Sequence, residues 1–190
     1  MKIRDLRFSF ADTVVFDGLD LDLADGKITA VMAPSGKGKS TLLRLIAGLL
    51  EPSSGSIDLG GRTVGMMFQE PRLFGQLTVL QNVMLVIKQK KDKRQRAMQL
   101  LEVVGLADAA DKYPDELSGG MAKRVSLARA IAYDADILLL DEPFSALDAK
   151  TKDDVIAWTM QLVSGKTVIL VTHDRFEAER FADVIVDLPQ

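Results

Sequence analysis

The chain has 190 residues, with 24 Lys and Arg against 27 Asp and Glu, a formal charge of −3 at pH 7 and no cysteine. That length fits one domain able to bury roughly 70% of the surface its unfolded form exposes. The charge balance argues against nucleic acid as a partner, and the missing thiols exclude disulfides, thiolate metal sites and cysteine nucleophiles. The longest apolar runs, "DILLLDE" and "KTVILVTH", fall far short of the ~18–20 residues that cross a bilayer, so a membrane role has to come through a partner. The N-terminal "MKIRDLRFSF" lacks the apolar core of a signal peptide, and the cytoplasm is the expected location.

In chain order, "KIRDLRFSF" and "TVVFDGLDLDLADGKITAVM" alternate with period two, and the Asp-Gly pairs at 17 and 25 are expected to supply turns, giving an N-terminal antiparallel sheet. After "APSGKGKST", the segment "TLLRLIAGLL" has helical spacing and "EPSSGS" ends it. Short strands "SIDLG" and "TVGMMFQ" follow, then a helical insertion from about 77 to 132, punctuated near Gly105, Pro114 and Gly119–Gly120. From Asp136 the pattern becomes strand "ILLLD", helix "AKTKDDVIAWTMQLV", strand "TVILVTH", helix "DRFEAERFA" and strand "VIVDL". This alternation predicts an α/β core whose parallel sheet is covered by helices. Residues 1–190 are expected to form a single domain with no regulatory domain after it.

Residues 33–40 fit the relaxed phosphate-loop pattern, with Gly38, Lys39 and Ser40 at its defining positions. Backbone N–H groups of Ser35, Gly36, Lys37, Gly38 and Thr41, with the helix start that follows, form a positive concavity for phosphates. Lys39 would reach the β and γ phosphates and the Ser40 hydroxyl would bind Mg²⁺. Ala33 stands where the pattern begins with glycine, which costs little at negative φ and about 1 kcal/mol or more at positive φ. Lys37 either points to solvent or adds a second cation. Ser118 in "ELSGG" is a good N-cap, and Gly119–Gly120 permit close backbone approach to a ligand. The run "ILLLDE" ends in two adjacent carboxylates at the C-terminal end of a parallel strand, where ligands bind. Nucleoside triphosphate hydrolysis needs one carboxylate on Mg²⁺, Asp141, and another orienting the attacking water, Glu142.

With these segments in order, the chain resembles the ATP-binding subunit of ATP-binding cassette (ABC) transporters over nearly its whole length. "APSGKGKST" resembles Walker A, "FQEPRLF" the Q-loop, "LSGGM" the signature, "ILLLDE" Walker B, "SALD" the D-loop and "VTHD" the switch region. The resemblance implies a P-loop NTPase with a RecA-like parallel core, an N-terminal antiparallel β subdomain and an inserted helical subdomain. It makes ATP and Mg²⁺ the cofactors and Glu142, His173, Gln69 and Lys39 the catalytic residues. Ser40, Gln69 and Asp141 would hold the metal. His173, the one histidine, would touch the γ-phosphate, and Asp148 would couple the two sites of a dimer. Phe10, 29 residues before Lys39, would stack on adenine, with Phe8 and Phe16 as competitors. Ser118, Gly119 and Gly120 would complete the ATP site of a second subunit, with a homodimer expected and a heterodimer left open. Transmembrane permease subunits and a solute-binding protein are the further implied partners, placing the chain on the cytoplasmic face of the membrane.

Met121, where glutamine commonly follows LSGG, resembles the variant of nitrate, sulfonate and taurine importers and of some lipid-transport cassettes. The expected function is ATP hydrolysis powering import of such a small solute. The alternatives are a lipid-transport or export system, a soluble non-transport ABC ATPase, a regulatory cassette without turnover, and a GTPase, against which the missing N-K-x-D motif speaks. The basic run "KQKKDKRQR" reads as a loop and the solvated start of an amphipathic helix. Met66, Met67 and Trp158 read as core.

Overall fold

The computed structural model describes residues 1–89, 91–145 and 147–188. Lys90 of the basic run, Ala146 of the "SALD" segment and the last two residues of the chain lie outside them. Strands β1 (Lys2–Phe10), β2 (Thr13–Asp22) and, later, β4 (Ser54–Asp58) form an antiparallel sheet in the order β2-β1-β4. Strands β3 (Ile28–Met32), β5 (Val64–Met67), β6 (Ile137–Asp141), β7 (Thr167–Thr172) and β8 (Val184–Asp187) form a parallel sheet in the order β5-β6-β7-β3-β8. The helices are α1 (Lys39–Ile46), α2 (Val79–Met84), α3 (Lys93–Val103), α4 (Gly119–Ala132), α5 (Ala149–Leu162) and α6 (Arg175–Phe181).

β6 and β7 are buried at every position, as expected for strands covered on both faces. Successive strand residues point to opposite faces, and here they enter two different cores. Leu138, Leu140, Val168 and Leu170 pack with α2 to α6, where Phe144 meets Phe181 edge-on at 5.2 Å. Ile137, Leu139, Ile169 and Val171 pack with Leu42, Leu43 and Ile46 of α1 and with Ile3, Leu6 and Phe8 of the antiparallel sheet. Met67 is fully buried, while Met66 and Trp158 are partly buried against these cores. The buried residues of α2, α3 and α4 join the same cluster as β6 and β7, so these helices share a continuous apolar interior with the parallel sheet.

The predicted turn at Asp17–Gly18 is not one. The β1–β2 reversal is at Ala11–Asp12, and Gly18 lies inside β2. Leu6 pairs with Leu19 and Arg7 with Asp17, so Gly18 is skipped by the register and takes φ 82°. It forms a bulge, the other use of a left-handed glycine in a strand. The Asp25–Gly26 turn is observed.

Asn82 is fully buried in α2, where the sequence pattern calls for an apolar residue. Its Oδ1 accepts from Phe74 N at 2.9 Å, and its Nδ2 donates to the carbonyls of Phe74, Leu77 and Thr78 at 3.0–3.1 Å. Arg129 of α4 donates to Pro71 O at 2.9 Å. One buried and one half-buried polar side chain thus hold the segment 71–78 that leads from β5 into the helices. Removing Asn82 orphans buried backbone groups, at about 1–3 kcal/mol. Asn82→Ala is therefore expected to lower stability by that amount in urea denaturation and to speed amide exchange at Phe74, while residues of β6 and β7 keep their protection relative to global unfolding.

Candidate nucleotide-binding site

Strand order decides what meets at the site. In β5-β6-β7-β3, the residues at or just beyond the C-terminal ends are Gln69, then Asp141–Glu142, then His173, then the loop 33–38. Four segments far apart in sequence lie side by side at the edge where open α/β sheets bind ligands.

The loop is shaped by two left-handed glycines, Gly36 at φ 80° and Gly38 at φ 82°. Gly38 caps α1, and a Cβ there would sit 2.5 Å from Val15 and 2.9 Å from the Phe16 ring, so glycine is required for both conformation and space. Ala33 is not at positive φ, and its replacement of glycine carries no backbone strain. Lys39 Nζ donates to Ala33 O at 2.6 Å and Pro34 O at 3.1 Å, folding the lysine back along the loop's rim. Ser40 Oγ donates to Asp141 Oδ1 at 3.0 Å, joining the loop to β6.

Asp141 is 2% exposed at the end of β6. Burial pushes its carboxyl above the usual range and the neighbouring Glu142 charge adds to this, while the Ser40 hydrogen bond opposes it. Glu142 turns the chain with φ 47°, a conformation costly for a residue with a Cβ and concentrated at functional sites. Its backbone N donates to Val171 O at 2.9 Å. Gln69 Nε2 donates to its Oε2 at 3.2 Å, and His173 Nδ1, which must carry the proton, donates to Oε1 at 3.0 Å. The two bonds fix the carboxylate plane over the loop.

A cavity of about 420 Å³ is lined by Phe10, Val15, Ser35, Gly36, Gly38, Lys39, Ser40, Thr41, Gln69 and Glu142. Phe8 and Phe16 are buried, whereas Phe10 is 47% exposed at the cavity's edge and rests edge-on against Phe8 at 4.8 Å. Of the three aromatics, Phe10 has a ring to offer. Lys37 is not among the residues lining this cavity. It is exposed and lines a neighbouring cavity with Phe16, Asp17 and Leu188, and its N–H donates to Pro34 O at 3.3 Å. Ser118, Gly119 and Gly120 also lie outside the cavity. Ser118 caps α4 by accepting from Met121 N at 3.3 Å, and Met121 packs against the larger core. Asp148 caps α5, accepting from Thr151 N at 3.1 Å.

Sequence reasoning missed several polar residues bonded near these groups. Asn82 and Arg129 announce themselves as polar residues on apolar helix faces; Lys123 and Ser145, which meet beneath Glu142, carry no local signal.

Comparison with known proteins agrees with this geometry. The ABC transporter family profile matches residues 16–145. The chain is 48% identical to the aliphatic sulfonates import ATP-binding protein SsuB 1 of Mesorhizobium japonicum, over 93% of this chain and 71% of that protein. It is 43% identical to the sulfate/thiosulfate import ATP-binding protein CysA of Mycolicibacterium paratuberculosis, over 100% of this chain and 57% of that protein, so it spans less than two thirds of the latter's length. Among solved structures, the ATP-binding cassette MJ0796, a dimer in a post-hydrolysis state bound to ADP and Pi, superposes with a TM-score of 0.86 at 31% identity, covering 98% of this chain and 93% of that one. With the loop, the paired carboxylates and the histidine gathered on one sheet edge and a profile match spanning most of the chain, this protein belongs to the ABC transporter family and is an ATP-binding domain of it.

Proposed function

We propose that this chain hydrolyses ATP to drive import of a small oxyanion or sulfonate through separate permease subunits, working as a pair of identical copies. The observation that carries the reading is the convergence of Lys39, Ser40, Asp141, Glu142, Gln69 and His173 at one cavity edge.

In this reading the triphosphate lies on the loop, where backbone N–H groups and the start of α1 meet its charge, and Lys39 exchanges its carbonyl partners for phosphate oxygens. Phe10 stacks on the base at the cavity's edge. Glu142 orients and polarises the attacking water, with its carboxylate aimed by Gln69 and His173 and its backbone aimed by the left-handed turn. In this reading His173 exchanges Glu142 for a γ-phosphate oxygen.

The donors for a metal fit Mg²⁺. Among the described residues no group of three or more His, Cys, Asp or Glu forms a self-contained cage, and Mg²⁺ is held through one or two carboxylates plus substrate phosphates. Ser40, Asp141 and Gln69 would hold it, and it would neutralise charge on the transferred phosphoryl group. A cation there also offsets the cost of the buried Asp141 carboxylate.

That Ser118, Gly119 and Gly120 stand outside the chain's own cavity supports a second copy as their target. For the permease, a groove of about 290 Å³ is lined by Leu49, Val64, Met66, Phe68, Val86 and Tyr133. It begins one residue from Gln69, so a segment docked there would sense the site. Among the described residues no helix is long and apolar enough to cross a membrane, which supports attachment through such a partner on its cytoplasmic side. Met121 and the sulfonate and sulfate importers among the relatives support the solute class, delivered by a solute-binding protein.

Glu142→Gln is expected to retain ATP binding and lose about 10²-fold or more in turnover, as for a lost general base; unchanged turnover measured by phosphate release would remove Glu142 from that role. Stacking worth ~1–3 kcal/mol makes Phe10→Ala weaken ATP binding by about 10-fold in a titration, whereas Lys37→Ser stays within about 2-fold. In the complex purified from membranes, an alkanesulfonate or sulfate with its binding protein should stimulate the ATPase; stimulation by lipid instead would reassign the substrate.

A further inference from the structure

Lys123 lies on α4, one turn beyond Ser118–Gly119–Gly120, and is 6% exposed. Its Nζ donates to Ser145 Oγ. Ser145 Oγ in turn donates to Glu142 O at 3.0 Å, and Ser145 N donates to the same carbonyl at 3.3 Å. The donor inventory allows this chain in one direction, because an ammonium has no acceptor and a hydroxyl has a single proton to pass on. Phe144, fully buried against Phe181, anchors the residue between the two ends of the turn. The backbone of Glu142 is thus gripped on its carbonyl side by Ser145 and on its N–H side by Val171 O, at a φ of 47° that persists when its surroundings over-determine it.

We infer that Lys123 is a positioning residue for Glu142: through Ser145 its ammonium holds the strained turn that aims the carboxylate, and it ties that turn to the helix opening with Ser118–Gly119–Gly120. This rests on the reading of Glu142 as the water-orienting base. The energetics favour a functional reason for the lysine. An ammonium out of water is costly, burial pushes its pKa down, and replacing a buried charge by an apolar residue of similar volume is often neutral or stabilising. The attraction of Glu142, Glu177 and Asp141 offsets part of that cost. Because the same helix begins at the residues proposed to meet the second copy's ATP, a shift of α4 on docking reaches Glu142 through one side chain and one hydroxyl.

The test uses the full chain at concentrations where the wild type turns over ATP. Lys123→Met is expected to keep its thermal midpoint and ATP Kd within about 2-fold while kcat falls about 10-fold, and Lys123→Gln, whose amide can still donate to Ser145, recovers most of the loss. Ser145→Ala should lower kcat similarly, and the double variant should be no slower than either single one, since both break the same chain of bonds. Additive losses, or unchanged kcat in Lys123→Met, overturn the inference. If Lys123→Met proves unstable, Ser145→Ala decides: lowered kcat at unchanged Kd supports the inference, and unchanged kcat overturns it. A wild-type chain that turns over no ATP with Mg²⁺ present would instead refute the reading of the site itself.

Discussion

The hydrogen bond from Ser40 to Asp141 joins residues 101 positions apart, and the rest of the site is built around it. It fastens the first turn of α1 to the end of β6 and so fixes the loop relative to the carboxylates. It depends in turn on β7 lying between β3 and β6, a spacing that brings the two ends within reach of one serine hydroxyl. Gln69 and His173 then approach Glu142 from β5 and β7, and the carboxylate is held from both sides.

This arrangement concentrates unfavourable local terms in a few residues. Asp141 is a buried carboxylate with a raised pKa, Glu142 sits in a left-handed turn, and Lys123 is a buried ammonium. The surrounding fold tolerates them because β6 and β7 are packed on both faces and over-determine the backbone beneath. A buried acid and a carboxylate held at a defined angle both come at the expense of local stability.

Not every residue expected at the nucleotide site lines the cavity. The chain presents Ser118–Gly119–Gly120 at a capped helix start outside the cavity of its own loop. Helix α4 thus carries both this capped start and, at Lys123, a contact that reaches the Glu142 turn through Ser145.

The α/β class, the phosphate loop and the paired carboxylates were legible in the sequence because they depend on local patterns: glycine spacing, an apolar run ending in two acids, alternation of strand and helix. The sequence by itself singled out Gly38, Lys39, Ser40, Asp141 and Glu142 as candidates for one site, and the fold brings the loop and the two carboxylates together. It left Phe8, Phe10 and Phe16 undistinguished and misplaced the turn at Asp17–Gly18, because the exposure of a strand residue and the use of a left-handed glycine follow from register. Tertiary structure alone decided that Phe10 is the exposed ring, that Asn82 and Arg129 hold segment 71–78, and that Lys123 reaches Glu142 through Ser145. Those contacts join elements whose separation along the chain is bridged only when the sheet order is set, and no window of sequence encodes a distance across a core.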